Sequence, residues 1–277
     1  MLKSLLRFSQ ILLGLFLVLS FFVQDSSALD TSKIFAASHF SAPFGYDHYG
    51  RNILLFSLSG LRQSMLIAVL AVLLGASLGT LVSVLSTRYY RGILDQSLSR
   101  INNLIFAFPA LITALLLTSF AQSAGLDWLN ALRSTGMLAM IAIALFNVPV
   151  FAQITRARAA WLWQRPFVQV AHFAGHSHLY CAFRHVLPNI LAPVLVHCAT
   201  QVAMALIAEA SLSFLGLGVT PPLASLGRQI AEARTYIAVA PQLVLIPALL
   251  LVFATLVLVL SADRMAQNLD DKTERLL

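Results

Sequence analysis

Six long apolar runs recur along the chain, and polar connections of unequal length separate them. The runs cover residues 5–23, 65–85, 104–120, 136–154, 190–207 and 243–261. A helix needs about 20 apolar residues to cross the hydrocarbon core of a bilayer. Because lipid offers no partner for backbone N–H and C=O groups, each run is expected to be helical. The pattern therefore predicts an all-α membrane protein with about six transmembrane helices.

Composition and charge support a membrane location and indicate an orientation. The chain is 59% hydrophobic and only 10% charged, whereas a soluble domain carries about 25% charged residues. The connections on the N-terminal side hold twelve Lys and Arg residues, and the opposite set holds six. The positive-inside rule then predicts that both termini and the connection 155–189 are cytoplasmic.

Three parts follow from this arrangement. Residues 1–23 are predicted to be a transmembrane anchor, 24–63 a periplasmic connection, and 64–277 a five-helix core with a cytoplasmic loop at 155–189. The first run also has the features of a signal peptide, because Lys3 and Arg7 precede it and small residues follow it. We favour an uncleaved anchor, since 19 apolar residues are long for a signal peptide.

Few residues in the spans could carry chemistry. Pro109 in the third span predicts a kink, which serves either as a bend near a pathway or as a packing adjustment. His197 is the ionisable candidate within a span, and it either bonds a neighbouring helix or lines a pathway. The acidic residues, including Glu209 as a gating candidate, are expected in connections. No phosphate-binding glycine loop and no catalytic carboxylate pair is present, so we expect no enzyme activity and an energy-supplying partner.

The segment "FVQVAHFAGHSHLYCAFRHVLPN", residues 167–189, contains four of the seven histidines. His172 and His176 are four residues apart, and so are Cys181 and His185, which is a spacing that metal ligands use on a helix. Gly175 interrupts the first pair, however, so we expect no metal site. A nucleic-acid arm is also disfavoured, because the basic residues are spread out. A partly exposed docking surface remains the preferred interpretation.

The same segment resembles the EAA loop of permease subunits of ABC importers. The matching positions are Gln169, Val170, Ala171, Gly175, His185, Leu187 and Pro188. Gln169 stands where the family usually has Glu, and Val170 where it has Ala. Small residues around Gly175 would allow another surface to approach closely, and "LP" is expected to mark the turn into the fifth span. The resemblance implies that these residues couple the chain to ATPase subunits.

Three further stretches carry the resemblance from residue 44 to about 270. "FGYDHYGRN" is similar to the opening of second-permease subunits in the dipeptide, oligopeptide and nickel branch, which makes Asp47, Gly50 and Arg51 candidate periplasmic contacts. "EASLSFLGLGVTPP" differs from the family form only at Thr220, and "FAFPAL" resembles "LAFPSL".

The resemblance implies the type I ABC importer permease fold in a bacterial inner membrane. It also implies half of a translocation pathway for peptides or nickel-type chelates. The expected partners are a second permease, two ATPases that bind ATP and Mg, a periplasmic or extracellular substrate-binding protein, and membrane lipid. No cofactor is expected on this chain. The alternative is a secondary transporter or channel that needs no ATPase, for which a coupling loop would have no use.

Overall fold

The structure is a computed structural model that describes residues 10–16, 18–20, 29–89, 92–107, 110–123, 132 and 135–274. Helices dominate this part of the chain, as predicted. They are α1 Ile53–Ser86, α2 Ile93–Ala107, α3 Ala110–Ser123, α4 Met137–Trp163, α5 Pro166–Phe173, α6 His178–Cys181, α7 Leu187–Phe214, α8 Leu226–Ala233 and α9 Gln242–Glu274. By length and composition, four stretches among the described residues could cross a membrane, and they contain α1, α4, α7 and α9.

These four stretches match predicted spans, but each helix is longer than its span. Helix α1 begins at Ile53, inside the connection predicted for 24–63, and Asn52 caps it by accepting from the N–H groups of Leu54 and Leu55. Helix α4 continues to Trp163, well into the predicted loop 155–189. The length of an apolar run underestimates the length of its helix, because the helix ends carry polar residues beyond the hydrocarbon core.

The remaining two predicted spans lie partly outside the described residues. Residues 10–16 and 18–20 are helical and lie against α9, where the Phe16 and Phe253 rings meet edge to face with centroids 6.2 Å apart. The span predicted at 104–120 overlaps the end of α2 and most of α3, and Pro109 between them is outside the described residues. The kink at Pro109 and the count of six helices therefore stay predictions.

The closest packing in the bundle is the crossing of α1 over α4. Gly75 and Gly79 lie one turn apart on α1, and both are buried. A Cβ on Gly75 would overlap the side chain of Asn147, and a Cβ on Gly79 would overlap the carbonyl of Val148. Small residues four apart are a recurrent way for membrane helices to approach closely, because lipid provides no hydrophobic force between them.

The other long helices pack around this pair. Helix α7 contacts α1, α4 and α9, and the short helix α8 packs in the angle between α7 and α9. Gly227 of α8 lies so close to Ala210 of α7 that a Cβ would overlap the Ala210 carbonyl. The core that results is continuous and includes fully buried Leu61, Phe151 and Leu206.

Polar contacts mark the two ends of the bundle. At one end, the indole N–H of Trp163 donates to the carbonyl of Val84 at 3.0 Å. Arg156 forms a bidentate ion pair with the buried carboxylate of Asp95, and both N–O distances are 2.8 Å. We call residues 164–186, which join α4 to α7 here, the connector, and this end the connector end. At the opposite end α1 begins, α7 ends, and α8 packs beside residues 29–52.

We predict that Gly79→Val destabilises the protein by roughly 1–3 kcal/mol or more, because the new side chain forces α1 away from α4. Ser77→Val is the matched control. Ser77 is exposed two residues earlier on α1, and its hydroxyl bonds only to the Leu73 carbonyl of the same helix.

The measurement is the thermal unfolding midpoint of each variant in detergent. A lower midpoint for Gly79→Val with an unchanged one for Ser77→Val is expected. Equal midpoints would contradict the importance of the close crossing.

Candidate functional site

The connector contains a short helix that ends as the sequence predicted. Helix α5 stops at Phe173, and Gly175 follows with a φ of +91°. The Gly175 N–H donates to the His172 carbonyl at 3.0 Å, and the His176 N–H donates to the Ala171 carbonyl at 3.2 Å. This pair of bonds is the Schellman motif, in which glycine adopts the left-handed conformation at low cost. Gly175 is therefore needed to end the helix.

Helix α5 has an inner and an outer face. Val168 is 2% exposed and belongs to the same core as Cys181 and Val186, and Ala171 packs partly against it. Gln169, Val170 and Phe173 project outward, and Val170 and Phe173 are 65% and 86% exposed. Ala174 and Gly175, just after the helix, are exposed, so the expectation that small residues here admit another surface stays a prediction.

The histidines of the connector stack with neighbouring rings. His172 and His178 have centroids 4.1 Å apart, and His176 stacks on Tyr180 at 4.3 Å. Cys181 is fully buried, whereas His185 is partly exposed. Within the described part of the chain, no three His, Cys, Asp or Glu side chains are grouped closely enough to hold a metal.

Helix α7 begins at Leu187 with Pro188 in its first turn, which agrees with the predicted start of this span, but the chain makes no turn there. The chain is helical from His178 to Phe214, with a π-helical stretch at Ala182–Val186 that leads into α7. The Leu187 N–H donates to the Ala182 carbonyl, five residues back. Proline has no N–H to donate, and it is tolerated in the first turn after such a local widening of the helix. His185, Leu187 and Pro188 therefore lie in one continuous helix that joins the connector to α7.

At the opposite end, Asp47 and Arg51 form the centre of a buried polar network. The Oδ1 atom of Asp47 accepts from the N–H groups of Tyr49 and Arg51, both at 2.8 Å, and Oδ2 pairs with Arg51 Nε at 2.6 Å. Arg51 also bonds Glu232 of α8 at 3.2 Å. Asp47 and Arg51 are 5% and 7% exposed. They hold residues 29–52 on α8 from the inside, and their predicted role as contacts for another protein remains untested.

Gly50 and His48 pack beside this network. Gly50 has a φ of +75°, and a Cβ on it would overlap the carbonyl of Asp30. The His48 ring stacks on Tyr236 with centroids 4.7 Å apart, and burial lowers the pKa of His48. The motif "FGYDHYGRN" is therefore a compact structural unit that fixes the start of α1.

Glu209 was expected in a connection, and this expectation was wrong. It lies inside α7 and is fully buried. Its Oε1 atom accepts from the hydroxyls of Ser213 at 2.7 Å and Ser225 at 2.9 Å. The helix ends only at Gly216, which forms a second Schellman motif with a φ of +79°. Glu209 thus ties α7 to the segment before α8.

A cavity of about 490 Å³ lies between α4 and α7, with α2 and α3 at its side. Asn147, Gln201 and Ser211 are its polar lining residues. His197 lies one helical turn from Gln201 on α7, and its ring meets Phe151 of α4 edge to face at 6.2 Å. His197 is therefore next to the cavity without lining it. Asn147 and Gln201 were not among the predicted site residues, although polar amides within apolar runs were an available signal.

Comparison with known proteins agrees with this architecture. Residues 79–275 match the family described as "Binding-protein-dependent transport system inner membrane component". The chain is 32% identical over 229 residues to the glutathione transport system permease protein GsiD of Pectobacterium atrosepticum, covering 82% of this chain and 72% of that one. The Escherichia coli protein of the same name is 33% identical with similar coverage.

Two solved structures share the fold at low sequence identity. One is described as an amino acid ABC transporter with histidines, with a TM-score of 0.57 and 19% identity over 77% of this chain and 94% of that one. The other is the MetNI methionine ABC transporter in inward-facing conformations, with a TM-score of 0.60 and 17% identity over 78% and 97%. The fold is thus that of an ABC transporter membrane subunit.

The family match, together with the four apolar helical stretches among the described residues, defines a multi-pass membrane permease of the bacterial inner membrane. The chain belongs to the family of inner-membrane components of binding-protein-dependent transport systems, and it is a permease of an ABC importer of the peptide branch. Permeases of this kind work with a partner permease, ATPase subunits and a substrate-binding protein.

We predict that Asp47→Ala lowers the stability of the protein by about 3–5 kcal/mol, because it leaves the buried Arg51 with one fewer partner. The control is Asp30→Ala. Asp30 pairs with Lys33 at 2.7 Å on the surface, where water screens the pair. The Lys33 ammonium lowers the pKa of the Asp30 carboxyl to about 2.

Thermal unfolding in detergent and limited proteolysis of residues 29–52 are the measurements. Asp47→Ala should lower the midpoint and expose this segment, and Asp30→Ala should change neither. The same small effect for both variants would show that the buried network is dispensable.

Proposed function

We propose that this chain forms half of the translocation pathway of an ATP-driven importer for peptide-type solutes, and that its connector couples it to ATPase subunits. The observation that carries the coupling role is the outer face of α5. Val170 and Phe173 expose apolar surface at one end of the bundle, on a helix whose inner face is anchored in the core. Apolar side chains exposed next to one another are typical of protein docking surfaces.

The connector is built to transmit movement. Helix α5 is anchored by Val168, and Ala182–Val186 continues directly into the 28 residues of α7. A displacement of α5 is therefore passed on through side-chain packing, because Val168 shares a core with Cys181 and Val186, and these two belong to the continuous helix His178–Phe214. We infer that ATPase subunits bind here, and that closure of two ATPases moves α7 as a rigid element. The connector is then cytoplasmic and the Asp47 network is periplasmic, as the charge distribution predicted.

The position of Gln169 bears on the strength of coupling. Its side chain is exposed and donates to the Gln164 carbonyl at 3.3 Å. A glutamate at this position would offer a negative charge to basic groups of a partner, whereas glutamine keeps the length and loses the charge. We infer that the apolar contacts of Val170 and Phe173 contribute more to docking here than charge does.

Peptide-type cargo is supported by the relatives named as glutathione transport permeases. Glutathione is a tripeptide, which makes it a suitable probe for this chain. In our proposal a substrate-binding protein delivers the cargo at the end opposite the connector, and a second permease completes the pathway.

We predict that Val170→Asp abolishes most ATPase docking, because it introduces a charge into the centre of the apolar surface. Val239→Asp is the matched control. Val239 is 81% exposed at the other end of the bundle, between α8 and α9, where no ATPase is proposed to bind. Gly175 is avoided as a test site, because any side chain there strains the helix end.

Co-purification of the ATPase subunits with the tagged chain and ATP-dependent uptake of labelled glutathione are the measurements. Val170→Asp should reduce both at least tenfold while the membrane level of the chain stays normal. Val239→Asp should keep ATPase co-purification at the parent level. Normal co-purification with Val170→Asp would overturn the docking assignment.

A further inference from the structure

We propose that the cavity between α4 and α7 is a cargo-binding subsite that receives the uncharged amide groups of a peptide through Asn147, Gln201 and Ser211. This inference rests on the proposed function and adds the location and chemistry of a contact site. The volume of about 490 Å³ lies within the range of about 300–1,000 Å³ that is usual for small-molecule sites.

Helix α7 presents one continuous face to the cavity. Gln201, Met204, Ala208 and Ser211 follow at intervals of three and four residues, so they lie along one side of the helix. The distance from Gln201 to Ser211 along the helix is about 15 Å. The face therefore provides an elongated wall with a polar group at each end and apolar side chains between them.

Asn147 faces α7 from α4, at the crossing with α1. It is 6% exposed, and its Nδ2 atom donates to the Ile143 carbonyl of its own helix at 2.9 Å. Its Oδ1 atom is buried and has no hydrogen-bond partner among the described residues. An acceptor without a partner costs free energy in a membrane protein interior. Since χ2 of asparagine has a broad range, a rotation that gives up the Ile143 bond lets Oδ1 accept from a cargo N–H group.

The other two polar groups also have bonding capacity to spare. The hydroxyl of Ser211 donates to the Ile207 carbonyl at 2.8 Å, which leaves the oxygen free to accept. Gln201 is partly exposed on the cavity face, and its amide makes no hydrogen bond to the described residues. Polar side chains are costly against lipid, so three of them on one cavity favour a hydrated pathway over a lipid-facing surface.

The lining chemistry favours a peptide over a metal ion. The described residues that line the cavity include amides, one hydroxyl and apolar side chains, and none of them is His, Cys, Asp or Glu. Divalent transition metals bind through imidazole, thiolate or carboxylate groups. Amide and hydroxyl side chains instead match the N–H and C=O groups of a peptide backbone, while Phe106, Phe146 and Met204 offer apolar contact.

The first test asks whether water reaches the cavity, independently of any cargo. Ser211→Cys in the assembled importer should react with a charged, membrane-impermeant maleimide in proteoliposomes. Leu249→Cys is the control, because Leu249 is 61% exposed on the apolar helix α9 and does not line the cavity. The parent protein, with its own Cys181 and Cys198, sets the baseline. Reactivity of Ser211→Cys no higher than that of Leu249→Cys would overturn the subsite.

The second test measures the KM for uptake of labelled glutathione and of a labelled dipeptide. Gln201→Leu removes the amide at nearly constant volume, so it should raise the KM about three- to tenfold, with ATPase co-purification unchanged. Gln201→Asn should restore part of the affinity, and Leu249→Ala should leave the KM unchanged.

The two proposals fail in different ways. If the wild-type importer takes up both peptides with ATP and Gln201→Leu keeps the parent KM, the subsite is wrong and the proposed function stands. If the wild-type importer takes up neither peptide, the peptide cargo is wrong, and the subsite as stated falls with it. If Val170→Asp behaves as the parent does and every other result is as expected, only the coupling role is wrong.

Discussion

The close crossing of α1 and α4 at Gly75 and Gly79 is the constraint on which the rest of the structure depends. Within lipid, helices gain little from hydrophobic association, so they must approach closely enough for dispersion contacts to form. Two glycines provide that approach by removing the Cβ atoms that would meet Asn147 and Val148. Because α7, α8 and α9 pack around this pair, their positions follow from it. The crossing also fixes Asn147 in the wall of the cavity between α4 and α7.

Polar groups then fix the two ends of the bundle. At the connector end, Arg156 pairs with Asp95 between α4 and α2. At the opposite end, Arg51 joins residues 29–52 to α8 through Asp47 and Glu232. Both networks bury charge, which is tolerated only because each charged group has an opposite charge and hydrogen-bond partners. Each network thereby ties together segments that are distant in sequence, α4 to α2 at one end and residues 29–52 to α8 at the other.

The sequence predicted the parts of the structure that depend on local pattern. The length of apolar runs indicated helices that became α1, α4, α7 and α9, and Gly175 was correctly expected to end α5. The prediction failed where a polar residue lies inside a helix. Glu209 was assigned to a connection because it is charged, but it is buried within the bundle, where its Oε1 atom accepts from the hydroxyls of Ser213 and Ser225. Ser213 is 4 residues from Glu209 and Ser225 is 16 residues away. A local sequence pattern could not have predicted the bond to Ser225.

By itself, the sequence determined the helical class, the membrane environment and the family motifs, because hydropathy and glycine positions act over a few turns of chain. Only the tertiary structure decided that Ala171 faces the core while Val170 faces outward, and that Pro188 continues a helix from Cys181. It also brought Asn147 and Gln201, which are 54 residues apart, to one cavity. The physical reason is that a helix has several faces of similar hydrophobicity in a membrane. Which face packs, and which one lines a cavity, depends on neighbours that are distant in sequence.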